Sequence, residues 1–407
     1  MNPLNRTPLV GRWRQACAVL LAGTSMAALL VACGGGGDAT ATAGGTAKAQ
    51  SFASGPISGL GSIIVNGVRF DDSVAQVVDE DGAAHAAREL KLGMMVEVQA
   101  GAIDDNSAKG TASLIRFGSE MVGPVASIDA TTQTLRVLDQ TIEVKSTTVF
   151  EEGLAGFSAI AKDDVLEIHA QFDASTGRYV ATRIEREAGA TVFRLRGVVS
   201  ALDTAAKTFK IGDAVINFGS VAPADLPAAF ANGQRARVRL QTAHVSAEPW
   251  VAISVRTAVR KVDDIGDARL RGLVTAFTSP QQFEVQGIVV DATNATFDPS
   301  ATAVKLGALI EVRGLATAGK IVASRVRVRD ERDVDLQRVE LHGTVSALSA
   351  SAKTFMLREV KIDYSKVLEW KNGASADLLA NDKQVEVKGL WSDDRRVLFA
   401  VVIGFET

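Results

Sequence analysis

The chain predicts an all-β protein made of tandem copies of one small five-stranded module, placed after an export signal and a flexible tether. Three observations carry this. Four segments open alike: Met121-Val122-Gly123-Pro124-Val125, Leu195-Arg196-Gly197-Val198-Val199, Leu270-Arg271-Gly272-Leu273-Val274 and Leu341-His342-Gly343-Thr344-Val345. Their glycines recur about every 70–75 residues, the mark of an internal repeat. Between these openings apolar and polar residues alternate with period two, and Gly, Asp and Asn punctuate the runs, as in half-buried strands joined by tight turns.

Within a module the first strand runs from the opening glycine to an apolar residue five places on: Ile128, Leu202, Phe277 or Leu348. A turn leads to a second strand, marked by Leu135 and Val137, Phe209 and Ile211, Phe283 and Val285, and Phe355 and Leu357. A later strand repeats as Val96-Glu97-Val98, Leu166-Glu167-Ile168, Ala236-Arg237-Val238, Ile310-Glu311-Val312 and Val385-Glu386-Val387. Three positions before it stand Gly93, Asp163, Gly233, Gly307 and Asp382, residues that tolerate a left-handed backbone, so a tight turn is predicted there. The last strand carries Ala112, Ala181, Ala252, Ala323 and Ala400, followed three places on by Ile115, Ile184, Val255, Val326 and Ile403. A small residue at one spot in every copy implies close approach of another backbone or a helix. Candidate capping helices in the variable insert are residues 224–231 and 374–379.

The first copy is the most divergent and compresses its opening strands around the turn Asn66-Gly67. Five strands in about 70 residues, with an insert between the third and fourth, suit a Greek-key barrel of the oligonucleotide/oligosaccharide-binding (OB) type; a small β-sandwich is the alternative. The expected boundaries are a signal at 1–32, a lipidated cysteine and Gly/Ala/Thr linker at 33–54, and modules at 55–120, 121–190, 191–264, 265–336 and 337–407. Modules this small bury too little surface to be robust alone, so neighbouring copies are expected to lean on each other.

The leader has Arg6, Arg12 and Arg14, then an uncharged Ala/Leu-rich body over 16–30, too short to span a bilayer comfortably. Its end, Leu30-Val31-Ala32-Cys33, resembles the lipobox of bacterial lipoproteins. That resemblance implies cleavage between Ala32 and Cys33 and acylation of the Cys33 thiol, hence a stable membrane anchor. Gly34 after the cysteine fits sorting to the outer membrane. The other cysteine, Cys17, leaves with the signal, so the mature body has no disulfide framework, thiolate metal site or cysteine nucleophile.

Net charge is −3 and becomes more negative without the leader, which disfavours nucleic acid as a partner. Base-stacking platforms are also missing, since Phe209, Phe283 and Phe355 take inward positions. The near phosphate loop at 314–321 has Ile321 where a hydroxyl should reach magnesium, and reads as a hairpin turn. His85 and His244 fall in loops, while His169 and His342 alternate with inward residues and so point outward, towards solvent. None of the four pairs with ligands at metal-binding spacing. The acidic pairs Asp71-Asp72, Asp104-Asp105, Asp163-Asp164, Asp263-Asp264 and Asp393-Asp394, with Asp79 and Asp81, read as turn chemistry rather than calcium loops. No metal or cofactor is expected. One cationic feature stands out: Arg325, Arg327 and Arg329 share a strand face, a possible anionic-ligand surface, with Arg256, Arg260 and Lys261 at the matching end of the preceding copy.

The phrases at 61–71, 197–203 and 343–348 resemble proteobacterial lipoproteins built from the domain of unknown function 5666. The resemblance implies an envelope lipoprotein of small β modules and supplies no activity. No nucleophile elbow or catalytic constellation is present in the sequence, so an enzyme is not expected. The expected role is a non-catalytic lipoprotein of the outer membrane, anchored through Cys33, whose modules bind or scaffold a glycan or an envelope protein. A purely structural spacer is the rival reading, and an unrecognised periplasmic hydrolase the remote one.

Overall fold

The computed structural model describes residues 50–245, 247–258, 262–329, 338–392 and 397–406. The signal, Ala32, Cys33, most of the linker, Arg260, Lys261 and Asp393-Asp394 lie outside the described residues. No helix among the described residues is long and apolar enough to cross a membrane.

All five modules close into five-stranded barrels of one topology. In module 4 the first strand (Ile265–Ser279) pairs antiparallel with the second (Gln282–Val285), and the second with the third (Ile288–Asp291). The third runs parallel to the fifth (Lys320–Val328), the fifth pairs with the fourth (Leu309–Thr317), and the fourth returns to the first. The same parallel closure between third and fifth strands recurs in the other four modules. Closed rings exclude the sandwich alternative and give the OB-like order.

The sequence columns map onto this ring residue by residue. The paired second-strand residues and the fourth-strand columns are buried, including Phe209, Phe355, Ile168 and Val387. Gly93, Asp163, Gly233, Gly307 and Asp382 all have positive φ, as the predicted turn requires. The alanine column marks a β-bulge: in every module the fourth strand slips register opposite the alanine, as at Arg313/Gly314 across from Ala323. The small residue therefore admits a backbone, not a helix. The expected capping helices do not form. Residues 224–231 contain Pro227 and leave only a 3-10 turn at Pro223–Asp225, while 374–379 is too short to nucleate a helix. The tether also ends earlier than expected. Ser51–Gly59 is the first strand of module 1, with Ser51, Phe52, Ala53 and Ser54 buried.

Each first strand is longer than its own barrel needs. Its second half pairs with the second strand, its first half with the fourth, and one edge of that first half remains open. Those open edges are covered by one another. Residues 51–54 pair in parallel with 267–270, joining modules 1 and 4. Arg194 and Leu195 pair with Val122 and Met121, joining modules 3 and 2. Leu60 bridges to Leu341, joining modules 1 and 5. Modules 1 and 5 consequently share one hydrophobic core and modules 2 and 3 another, while Phe52 of module 1 enters the core of module 4.

Module 1 touches all the others. Beyond the strand pairings, Arg183 of module 2 donates to the Leu92 carbonyl at 3.2 Å, and Glu80 pairs with Arg196 and Arg237 of module 3. The expectation that neighbours lean together holds for modules 2 and 3, which share strand pairing and a core, and for modules 1 and 2 and modules 3 and 4, which touch through Arg183 and Arg235. Strand-edge pairing also joins modules that are not consecutive in the chain.

Two features lock the seam between modules 1 and 5. Gly61 has φ +114°, and a Cβ there would lie 2.0 Å from Cβ of His342. His342 itself is buried, correcting the outward, solvated reading: outward from its barrel means inward to the seam. Its ring donates to Glu340 (2.9 Å) and to Glu406, a geometry that needs both nitrogens protonated. Arg69 of module 1 joins Glu340 at 2.7 Å, and Lys388 joins both Glu340 and Glu386. Burial opposes the charged ring, but the bonds to Glu340 and Glu406 outweigh it and raise the pKa above 6.5. Glu340, held first by the His342 bond, falls to about 2.

Gly61→Ala should cost about 3 kcal/mol in urea unfolding, because strain and clash add there. Gly67→Ala, at φ +74° but facing open space, should cost about 1 kcal/mol. The His342 pair adds a pH signature. A raised histidine pKa contributes fully below 6.5 and is lost as pH rises through the folded value. A lowered Glu340 contributes fully above 4.5 and is lost as pH falls towards 2. His342→Gln should therefore destabilise by about 1–2 kcal/mol between those limits, with the deficit shrinking at higher pH; denaturant titrations across pH check it.

Candidate functional site

The outer face of module 4 carries a lattice of arginines built by strand register. Arg269 of the first strand lies opposite Arg313 of the fourth, which lies opposite Arg325 of the fifth. One row along, Arg271 lies opposite Glu311 and Glu311 opposite Arg327. Arg329 follows the fifth strand and reaches Glu311 at 2.8 Å. Like charges directly opposite on adjacent strands destabilise a sheet, so three guanidinium groups in a row need neutralising partners.

Each of those partners serves two guanidinium groups. Arg271 and Arg329 share Glu311, and Arg325 and Arg327 share Asp298. Arg269 and Arg313 share Asp267 with Asp105, the latter contributed by module 1. Asp105 is held below the ordinary carboxylate range, first by Arg313 and then by Arg269. Arg325 and Arg313 remain about half exposed, whereas Arg271 is buried.

The predicted residues fall into two adjoining depressions. Arg325 and Arg327, with Arg269 and Arg313, line a groove of about 150 Å³ closed on one side by Asn66. Arg327 and Arg329, with Arg271 and Lys388, line a cleft of about 910 Å³ between modules 1, 4 and 5. Ile64, Val339, Leu390, Val401 and Val402 add apolar lining, and the carboxylates Glu311 and Glu340 also face the cleft. Four cations against two carboxylates, with apolar side chains beside them, suit an anionic polymer whose repeating units also have apolar faces. Strand spacing revealed Arg325, Arg327 and Arg329. It could not reveal Arg269, Arg271 or Arg313, which come from other strands; only the inter-strand register aligns them.

The equivalent face of module 3 has a different use. Arg196, Arg237 and Arg256 stand in register across its first, fourth and fifth strands, and module 1 docks Glu80 and Asp81 against Arg196 and Arg237. There the cations clamp two modules together.

The other flagged residues resolve plainly. The segment at 314–321 is a hairpin with Ala318 and Gly319 at positive φ, as expected. Asp79 accepts from the Asp81 and Ala83 amides, and Asp71, Asp104 and Asp164 likewise accept from nearby amides, so turn chemistry accounts for them. His169 is fully buried and accepts no solvated reading; burial lowers its pKa, and Nδ1 lies 3.1 Å from the Gly118 carbonyl. The sequence search for metal ligands missed one grouping. Glu340, His342 and Glu386 bring ligand atoms within 4.8 Å of one another. The signal was Glu340-x-His342 on one strand with Glu386 in register beside it. Lys388 and Arg69 already neutralise those carboxylates, which makes the cluster an ion-pair knot at the seam.

No curated protein matches the chain. Three segments, residues 122–185, 271–327 and 342–404, match the family model described as a domain of unknown function, DUF5666. These fall within modules 2, 4 and 5, so the chain carries tandem copies of that domain.

Proposed function

We propose that this chain is a non-catalytic, lipid-anchored envelope protein that binds an acidic polysaccharide across the arginine face of module 4. The anchor is Cys33, and the outer membrane is the site inferred from the leader. The single observation that carries the binding reading is the row Arg269–Arg313–Arg325, a like-charge alignment across three strands in which Arg313 and Arg325 stay about half exposed. Natural sheets avoid such rows unless something repays them, and a bound polyanion does so. Guanidinium groups at strand spacing also offer forked donors to carboxylate, sulfate or phosphate groups on a chain.

The non-catalytic part is supported by the charge states in the cleft. Glu340, held to about 2, cannot store a proton near neutral pH, and Glu311 is shared between two arginines. The spacer reading is disfavoured because module 1 folds back on modules 4 and 5, so added repeats do not simply add reach.

Arg325→Ala should weaken binding to an acidic polysaccharide such as a polyuronate about ten-fold, and wild-type affinity should fall as salt is raised. The same variant should be as stable as wild type or up to about 0.5 kcal/mol more so, since a like-charge neighbour is removed. Equal polyuronate retention by wild type and variant in affinity electrophoresis would sink the reading. A chain lacking residues 191–264 separates it from the spacer. A spacer would shorten in small-angle scattering and keep its melting temperature. The packed array predicts a fall of several degrees as Glu80, Val122 and Met121 lose their partners.

A further inference from the structure

We propose that a second cleft, framed by modules 1, 2 and 5, binds a short oligosaccharide of acidic sugars. The cleft has a volume of about 850 Å³, ample for a small-ligand site. None of the arginines on the face of module 4 lines it, so the inference goes beyond the polysaccharide reading and does not rest on it. Five cations and three carboxylates line the cleft, which is therefore net positive. Lys91 and Arg183 both pair with Glu359, Glu151 accepts from the Arg186 amide at 2.8 Å, and Glu152 is exposed. Arg88, Arg358 and Lys361 are exposed too, and among the described residues none of the three pairs with a carboxylate. Asp72 feels the Arg358 charge but makes no ion pair with it. Arg358 donates from Nε to the His342 carbonyl at 2.8 Å, which positions the side chain and leaves the terminal nitrogens of its fork for an anion. Arg88 comes from module 1 and the other two cations from module 5, so the ligand carries more than one negative charge, set apart along its length.

The uncharged polar side chains decide between a plain polyacid and a sugar. In module 5 Ser346, Met356 and Lys361 stand in register across the first three strands, so hydroxyl, thioether and ammonium lie side by side. Ser346 donates its hydroxyl proton to the Met356 carbonyl at 3.3 Å, and the Gln384 amide donates to the Thr344 hydroxyl at 2.8 Å. What these groups keep for a ligand are acceptors, on Ser346 Oγ and the Gln384 side-chain carbonyl. An acceptor calls for a ligand hydroxyl, which a sugar ring has and a simple polycarboxylate lacks. The apolar lining favours rings over an acyl chain. Leu60, Leu90, Leu92 and Leu154 are 1–4% exposed and belong to the module cores, so they offer a ligand almost no surface. Phe150 of module 2, with Met356 and Trp391 of module 5, is half-buried and keeps apolar surface open to the cleft. Such surface, interrupted by polar groups, matches the C–H faces of sugar rings, whereas a hydrocarbon tail needs a continuous apolar channel.

The test is a tryptophan fluorescence titration with trigalacturonate, whose three sugar rings each bear a carboxylate. Trp391 lines this cleft and neither depression of module 4, so its emission reports the site. Maltotriose supplies rings without charge, and tricarballylate supplies three carboxylates without rings or hydroxyls. Trigalacturonate should give a saturable change, with affinity about ten-fold or more above either control. Lys361→Ala and Arg88→Ala each remove an exposed cation and should each weaken binding about five-fold without altering the melting temperature. Arg325→Ala lies outside the cleft and should stay within about two-fold of wild type. No saturable change, equal affinity for either control, or undiminished binding in both cleft variants would overturn the site. Loss of binding in Arg325→Ala alone would place the oligosaccharide on module 4 and overturn it as well. Equal polyuronate retention by Arg325→Ala, which sinks the module 4 reading, leaves this one standing.

Discussion

An open strand edge organises this molecule. A closed barrel has no edge, yet each module here begins with a strand that outruns its ring and leaves half of one side without partners. Unpaired backbone donors and acceptors in a row invite another strand, and burying them unpaired costs about 1–3 kcal/mol per group. The chain meets this within itself: 51–54 covers 267–270, Val122 and Met121 cover Arg194 and Leu195, and Leu60 covers Leu341. Shared cores follow from that pairing, since strands joined at an edge bring their flanking apolar residues together. The array is therefore a folded-back cluster held by strand edges, with module 1 at its centre.

This explains why the first copy departs from the repeat. Several of its surface positions meet other modules where the other copies' positions do not. Gly61 stands where His342 leaves no room for a side chain, Gly93 lies against the Thr182 carbonyl, and Glu80 supplies the carboxylate for two arginines of module 3. Gly61 and Glu80 depart from the repeat because each answers a different neighbour, while Gly93 keeps the glycine of the turn column.

Much of the barrel was legible in the sequence, because strand periodicity and positive-φ turns are local. The turn column from Gly93 to Asp382 and the alanine column both landed where spacing placed them, the latter as a bulge. Period two, however, separates only inside from outside of one barrel. His169 and His342 point outward as read, and are nevertheless buried, because another module occupies the outside. The same limit governed the arginine face: one strand's share, Arg325 to Arg329, could be seen in the spacing, but its partners on two other strands depended on register. The tether's end was misjudged for a related reason. Ser51, Ala53 and Ser54 are small and the stretch looks unable to bury surface, yet its backbone pairs on both sides and Phe52 enters the core of module 4.

Sites at seams have a consequence for how such repeats acquire function. The cleft beside Arg327 and Arg329 takes one wall from module 5 and an edge from module 1, and the second cleft needs modules 1, 2 and 5. Neither exists in a single copy. Modules 3 and 4 carry arginine rows on the same face but one rung apart: the rung Arg196–Arg237–Arg256 of module 3 is Arg271–Glu311–Arg327 in module 4, and Glu80 and Asp81 of module 1 press against the first while Asp105 reaches the row Arg269–Arg313–Arg325. A repeat of unchanged fold thus becomes a clamp or an open cationic surface according to which rung carries the arginines and which acidic side chains a different module sets beside it. The chemistry of this protein resides in the arrangement of its modules as much as in any one of them.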